Sequence, residues 1–404
     1  MGAAWPQSLR IADNRSVRQH DVIIIGGGPG GLYTAARLAE YGHDTVLVEE
    51  HRDVGCPVHC TGILAREAFP EFGLGTGSIL NALSPVRFNS PSGLQVEYDP
   101  TGVDAVVVDR AVFDEEIAGR AVAAGARILA GQRVTRLSTE ASGVTVTTGA
   151  GETLQARAAV LACGANYGFQ RQLGLGMPAV YLASAQLELP AGAAGHVEVF
   201  FGSHVAPAGF AWAVPVQRGA EAYVRVGLMC DGDAGYYFER LLARVRDTFQ
   251  IRAVEGIQPR RRLLPLGTIR RTYADRVLAV GDAAGLVKPT TGGGIYYSLF
   301  SAELAASQLH AGLDADDLGA EGLSGYESAW RDRLNAEFRS QLALRMLAQR
   351  LSDSEMDGLF DLAGTDGIMP LVYKTAQFNR HRDLITALFK HPEARRLLFR
   401  RMLA

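Results

Sequence analysis

Lysine is almost absent from this chain: Lys288, Lys374 and Lys390 stand against 37 arginines. Cysteine is scarce as well, four in 404 residues, which excludes a small disulfide-built scaffold. No stretch approaches about 18 consecutive apolar residues, so no membrane-crossing helix is expected. The first 20 residues lack the apolar centre and small-residue cleavage site of a signal peptide and read as a loose leader. Cytoplasmic residence is therefore expected, with Cys56, Cys60, Cys163 and Cys230 reduced. There is no internal repeat or low-complexity segment. A hydrophobic content of 48% excludes a disordered chain, and a net charge of −3 gives no reason to expect a nucleic-acid partner. The length suggests two or three domains at about 150 residues each.

Charge is unevenly spread. Residues 367–404 hold eight Lys/Arg against two Asp/Glu, leaving −9 for the first 366. The last stretch, from His391 to Ala404, interleaves Arg395, Arg396, Arg400 and Arg401 with large apolar groups. It suits either a terminal helix packed on the body with a solvated basic face, or peripheral contact with an anionic membrane.

The chemistry lies in glycine clusters. Asp21-Val-Ile-Ile-Ile25 reads as a buried parallel strand. It runs into Gly26-Gly-Gly28-Pro-Gly30-Gly31, then a helical pattern closed by Gly42, then a second strand, Thr45–Val48, ending at Glu49. This is the dinucleotide-binding arrangement. Gly26 permits the tight turn, Gly28 lets a pyrophosphate reach the backbone, and Gly31 lets helix pack on strand. The helix N-terminus faces the phosphates, and Glu49 is placed for the ribose hydroxyls. The fingerprint alone does not separate NAD from FAD.

A second signal is Val277-Leu-Ala-Val-Gly281-Asp282, followed by Gly292-Gly293-Gly294 and a helix from Ile295. An apolar strand delivers Asp282 towards a ribityl hydroxyl, and the helix N-terminus would stabilise negative charge on the N1/O2 side of a reduced flavin. Three consecutive glycines are costly at a helix start unless a ligand comes close.

The alternation in His196–Phe201 and Ala222–Gly227 predicts an antiparallel sheet roofing the cofactor, with a helix over Tyr236–Thr248. The expected class is α/β with an α+β substrate layer. A Rossmann-like FAD-binding domain is assembled from 20–85, 105–165 and 265–320, a substrate domain from 86–104 and 166–264, and C-terminal helices fill 321–404.

These motifs, with Val108-Asp-Arg110-Ala-Val-Phe113-Asp114 between them, resemble the p-hydroxybenzoate-hydroxylase-like FAD-dependent oxidoreductases. They are more closely similar to the geranylgeranyl reductase family. Three features carry that narrower resemblance: the PxxCxG core at Pro57, Cys60 and Gly62; the segment Gly285–Ile295; and Phe210-Ala-Trp212-Ala-Val-Pro215, where Val214 stands in place of the family's Phe. The resemblance implies FAD contacts at Gly30, Glu49, Cys60, Thr61, Ile63, Arg110, Val134, Asp282, Gly294 and Ile295, with Glu50, Gly281 and Gly293 beside them. It implies a substrate wall at Phe210, Trp212 and Pro215, although two aromatics on alternate strand positions also suit plain core. Cys60 is the catalytic candidate, as proton donor or geometric stop beside the flavin ring; the alternative is a small residue shaping its loop. Arg110 opens a helix from which a guanidinium reaches the pyrophosphate or adenine edge.

The implied reaction is reduction of carbon–carbon double bonds in an isoprenoid chain, of a lipid, quinone or pigment precursor, by hydride from reduced flavin. There is one dinucleotide fingerprint, so NAD(P)H or a reduced ferredoxin is expected to deliver electrons transiently. His51, Cys56, His59 and Cys60 cluster, but their spacing fits no familiar zinc site, and no metal is expected. The rival readings are a flavin monooxygenase acting on an apolar or aromatic molecule, and a sensor with a structural flavin. A halogenase is disfavoured, because that chemistry needs a lysine in the N-terminal half and none precedes Lys288.

Overall fold

The computed structural model describes residues 19–399 except 84, 100, 101, 103, 193, 194, 253–255 and 366. The expected leader, up to residue 18, and Arg400 and Arg401 of the basic tail lie outside the described residues.

Strands form where β-branched and small apolar residues run unbroken. Apart from His20 and Thr45, Gln19–Ile25, Thr45–Val48 and Thr153–Leu161 are apolar on both faces over their buried lengths, as a sheet covered on both sides requires. They pair in parallel, with Ile25 opposite both Val48 and Leu161. Arg127–Leu129 and Val277–Ala279 extend the sheet on either side, also in parallel. A meander, Val134–Glu140 and Gly143–Thr148, joins Thr153–Leu161 antiparallel. The consequence is positional. Ile25, Val48, Leu161 and Ala279 end together, so the loops that follow them gather outside the carboxyl edge of one sheet, where α/β folds bind ligands.

A second sheet of seven strands runs in the order 260–265, 181–190, 221–230, 210–218, 197–200, 86–89 and 95–98. All its pairings are antiparallel except that of Val197–Phe200 with Val86–Asn89. One face packs on the helix Ala234–Val245 through Ala211, Ala213, Val224, Val226, Phe238 and Leu241. That helix begins two residues before the predicted Tyr236, because the Asp233 carboxylate caps it, accepting from the Gly235 (2.9 Å) and Tyr236 (3.4 Å) amides. A third, small sheet pairs Ala105–Val108 with Ile63–Ala65 and Ile79–Ala82.

The chain ends in helices: Ala320–Ala348, Asp353–Thr365, Ile368–Thr375, Arg382–Lys390 and Pro392–Phe399. In the last of these Ala394 and Leu398 are buried while Arg395 and Arg396 are exposed, the pattern of a packed helix with a solvated basic face. No described helix is long and apolar enough to cross a membrane.

Candidate active site

A cavity of about 1920 Å³ opens between the carboxyl edge of the parallel sheet and the roofing sheet. Single small-molecule pockets usually measure roughly 300–1,000 Å³, so this one has room for two large ligands side by side. All sixteen cofactor-contact residues expected from the sequence border it. So do Phe210 and Trp212, but Pro215 does not. Side chains alternate along a strand, which puts Phe210, Trp212 and Val214 on the cavity face and Pro215 on the other; the Pro215 carbonyl instead accepts from Asn81 Nδ2 at 3.3 Å.

At one end the first strand breaks at Gly26, whose φ of +108° is open to glycine, and any side chain there would meet the Ala162 carbonyl at 2.4 Å. A Cβ on Gly28 would meet nothing within 4 Å, so the backbone here faces free space. The helix Pro29–Glu40 starts with no side-chain cap, leaving its first amides available. Gly30 differs from its neighbours: it packs against the Ser298 carbonyl, letting this helix lie beside Ile295–Asp314.

Glu49 is almost buried and already engaged, accepting from the Gly27 amide at 2.6 Å and from the His51 amide and Nδ1 at 2.9 and 2.6 Å. Glu50 is exposed, 3.6 Å from Arg133. Nearby, the Gln132 Oε1 is buried with no hydrogen-bond partner, an acceptor facing the space that an adenosine would fill.

The second motif closes the same space. Gly281–Ala284 forms a 3₁₀ turn, and a Cβ on Gly294 would come within 2.7 Å of Asp282 Oδ1, so the glycine leaves room for that carboxylate. Burial raises the Asp282 pKa, with Arg110 pulling the other way. Tyr167 and Gln170 tie down the turn, donating to the carbonyls of Asp282 (2.6 Å) and Ala283 (2.9 Å). The helix Ile295–Asp314 again starts without a side-chain cap. Two uncapped helix N-termini, a buried acceptor and open backbone at Gly28 fit a phosphate-bearing dinucleotide with a flavin ring at Asp282.

The Arg110 guanidinium, expected to reach the pyrophosphate or adenine edge, borders the cavity but binds Asp114 one turn later (2.8 Å), while Asp109 caps the helix. Burial alone would depress its pKa, but Asp114 and Cys60 reverse this and hold it above the usual value. Cys60 is half-buried, its Sγ accepting from the Gly62 amide at 3.3 Å. The other members of the suspected cluster point elsewhere: His51 to Glu49, and His59 Nε2 to Arg262 Nη2 at 2.6 Å. Burial, then Arg262 and Arg260, push the His59 pKa down to about 4, so the ring is neutral, and its Nδ1 is buried without a partner.

Three features of the site went unnoticed in the sequence. Arg225 is 2% exposed; its Nε binds Glu188 at 2.7 Å, and its Nη1 donates to the carbonyls of Thr61 (2.5 Å) and Val108 (3.0 Å), clamping the roof to the Cys60 loop. The signal was an arginine inside the apolar run Val224–Met229. Lys288 is buried in the cavity, donating to the Phe378 carbonyl at 2.9 Å and lying 4.1 Å over its ring. Burial lowers its pKa to about 7, against the pull of Glu337 and Glu67. Finally, the C-terminal helices supply Leu344, Ala348, Met356, Val372, Leu384 and Ile385 as an apolar end wall.

Opposite them stand Phe88, Phe201, Phe210 and Trp212, with ring centroids of successive neighbours 5.6–6.5 Å apart. Trp212 lies flat on Gly227 of the paired strand, where a Cβ would be 2.6 Å from its ring. Its Nε1 is buried and unpartnered.

Residues 21–362 match the family described as lycopene cyclase protein. The chain is 29% identical over 374 residues to a digeranylgeranylglycerophospholipid reductase of Methanocaldococcus jannaschii, covering 86% of this chain and 92% of that one. It is 31% identical over 334 residues to the protein of that name in Methanoculleus marisnigri, covering 77% and 82%. Among solved structures, a geranylgeranyl bacteriochlorophyll reductase-like protein of Thermoplasma acidophilum superposes with a TM-score of 0.81 at 21% identity, covering 95% and 98%.

Proposed function

The chain belongs to the lycopene cyclase protein family, with the geranylgeranyl-type reductases among its relatives, and is an FAD-dependent oxidoreductase; on that premise we propose that it saturates carbon–carbon double bonds of a geranylgeranyl-type chain carried by a lipid, quinone or pigment precursor. The observation that carries the substrate is the shape of the cavity: one space joins the glycine loops to an aromatic and aliphatic compartment, without a wall between them.

Bound FAD would supply hydride to one alkene carbon. The chain's own residues do the rest. Glu49 would hold the ribose of the cofactor and the two uncapped helix starts its phosphates and N1/O2 edge, while Arg225 fixes the loop carrying Thr61 and Cys60 against the roof. Phe210, Trp212 and the C-terminal wall hold an extended apolar chain and exclude water, which supplies much of the effect through positioning. The neighbouring alkene carbon needs a proton. Lys288 Nζ, its pKa lowered to about 7, is poised to give one near neutral pH inside the cavity; Cys60 Sγ is the second source. The cavity has a single dinucleotide fingerprint, so NAD(P)H or a reduced ferredoxin is read as a transient visitor. Peripheral membrane contact through the basic C-terminal helices would bring the lipid within reach.

Incubation of the enzyme with reductant and a geranylgeranyl-bearing lipid, followed by mass spectrometry, tests the reading. Gain of hydrogen pairs supports it. Insertion of oxygen into the substrate instead would make the protein a monooxygenase.

A further inference from the structure

The far ends of the two cofactor-holding helices carry an unassigned group of side chains. Pro29–Glu40 and Ile295–Asp314 run side by side in parallel: Gly30 packs on Ser298, Arg37 binds Glu303 at 2.9 Å, and Tyr41 stacks on His310 at 4.4 Å and 6°. Their N-termini face the cavity, so their C-termini point away from it. There, His310 and Asp314 lie one turn apart on the second helix, and His43 comes from the turn after the first. None of the three borders the cavity.

One hydrogen bond joins the two imidazoles, and the Asp314 carboxylate is left to solvent. His310 Nδ1 is 2.9 Å from His43 Nε2 and 3.5 Å from Asp314 Oδ2. One ring nitrogen carries at most one proton, so as a donor it serves one neighbour, and as an acceptor it faces the carboxylate lone pair to lone pair. A cation at the meeting point satisfies all three atoms together. The potential donor atoms lie within 4.8 Å of one another. Zinc bonds of about 2.0–2.2 Å place tetrahedral ligands roughly 3.3 Å apart, near the 2.9 and 3.5 Å that separate His310 Nδ1 from its two neighbours.

We propose that His43 Nε2, His310 Nδ1 and the Asp314 carboxylate bind a divalent transition metal, with zinc the fitting ion. Two imidazoles and one carboxylate select zinc, nickel or copper over magnesium and calcium, which take oxygen ligands. The stack on Tyr41 fixes the His310 ring in advance. His310 and Asp314 are partly or largely open to solvent, so water completes the coordination. Set away from the cavity, the metal acts as a staple, tying the C-terminal ends of the helices whose N-termini hold the cofactor.

The test is calorimetric titration of the full-chain, chelator-treated flavoprotein with zinc chloride, beside H310A and D314N. Cys56 and Cys60 remain in all three proteins, so thiol binding contributes equally to each. A saturable one-to-one step is expected in the parent, weakened roughly tenfold or more in D314N and lost in H310A, with zinc raising the parent's Tm by a few degrees. Equal flavin absorbance in the three proteins checks that H310A is folded, and D314N changes an exposed carboxylate without touching packing. No saturable step in the parent, or the same step in both variants, overturns the site.

Discussion

Replacing Arg225 with methionine is the sharpest perturbation of the joint between roof and cofactor domain. Methionine keeps most of the volume and the strand pairing, and removes only the guanidinium. Two hydrogen bonds from the charged group to the Thr61 and Val108 carbonyls go, each worth about 1.5–3 kcal/mol. The Glu188 ion pair goes as well, but Glu188 retains Arg218 at 2.7 Å, so it is not left as an unpaired buried charge. The net loss should therefore be about 3–5 kcal/mol, below the sum because the apolar stem still packs. Burial costs Glu188 its charge less than its partners return: they hold its pKa below the usual carboxylate range, and Arg218 alone should keep that direction. The assay is urea unfolding together with flavin affinity by fluorescence. R225M should lose the stated stability and bind FAD more weakly, because the loop carrying Cys60 and Thr61 loses its anchor. R225K should recover part of both, since one ammonium cannot serve Glu188 and two carbonyls at once. Stability within about 1 kcal/mol of the parent, with unchanged flavin affinity, would refute the clamp.

Lys288 predicts a pH dependence. Its pKa is about 7 in the folded chain and 10.5 as an ordinary lysine. Between these values the unfolded chain binds more protons, so stability should rise with pH from about 7 to 10.5, and K288M should lose that slope in pH-dependent unfolding. K288M should also turn over far more slowly than C60S while retaining flavin; the reverse order would assign the proton to Cys60. G227A places a Cβ 2.6 Å from Trp212, which must swing into the cavity; about 1–3 kcal/mol of stability and a raised KM for long chains are expected, and an unchanged KM would remove Trp212 from the substrate wall. E49Q weakens charge-assisted bonds worth about 1.5–3 kcal/mol and should lower FAD affinity by roughly ten- to a hundredfold, measured by fluorescence titration.

Much of the cofactor site was legible because a dinucleotide constrains backbone, and backbone constraints leave glycines. Gly26, Gly28, Gly281 and Gly294 are spaced by the turns and close approaches they make, so local sequence suffices. Trp212 was legible through its motif; the room that Gly227 leaves for its ring on the paired strand shows only in the fold. The clamp was not. Arg225 meets Thr61 and Val108 across 164 and 117 residues of chain, so an arginine in an apolar run signals a buried charge but not its partners. Lys288 was visible as a residue but not as a buried one, because Phe378, its partner, lies 90 residues on, in the loop between the helices Ile368–Thr375 and Arg382–Lys390, where the sequence marks no partner. Pro215 went astray through a motif taken whole, when period two divides its residues between opposite faces of the strand.

Anaerobic stopped-flow reoxidation of the reduced flavin tests the central claim most directly. A geranylgeranyl-bearing lipid should reoxidise the flavin rapidly without oxygen, with its double bonds saturated in proportion to the flavin consumed. Reoxidation by oxygen alone, with the lipid recovered unchanged, would contradict the account.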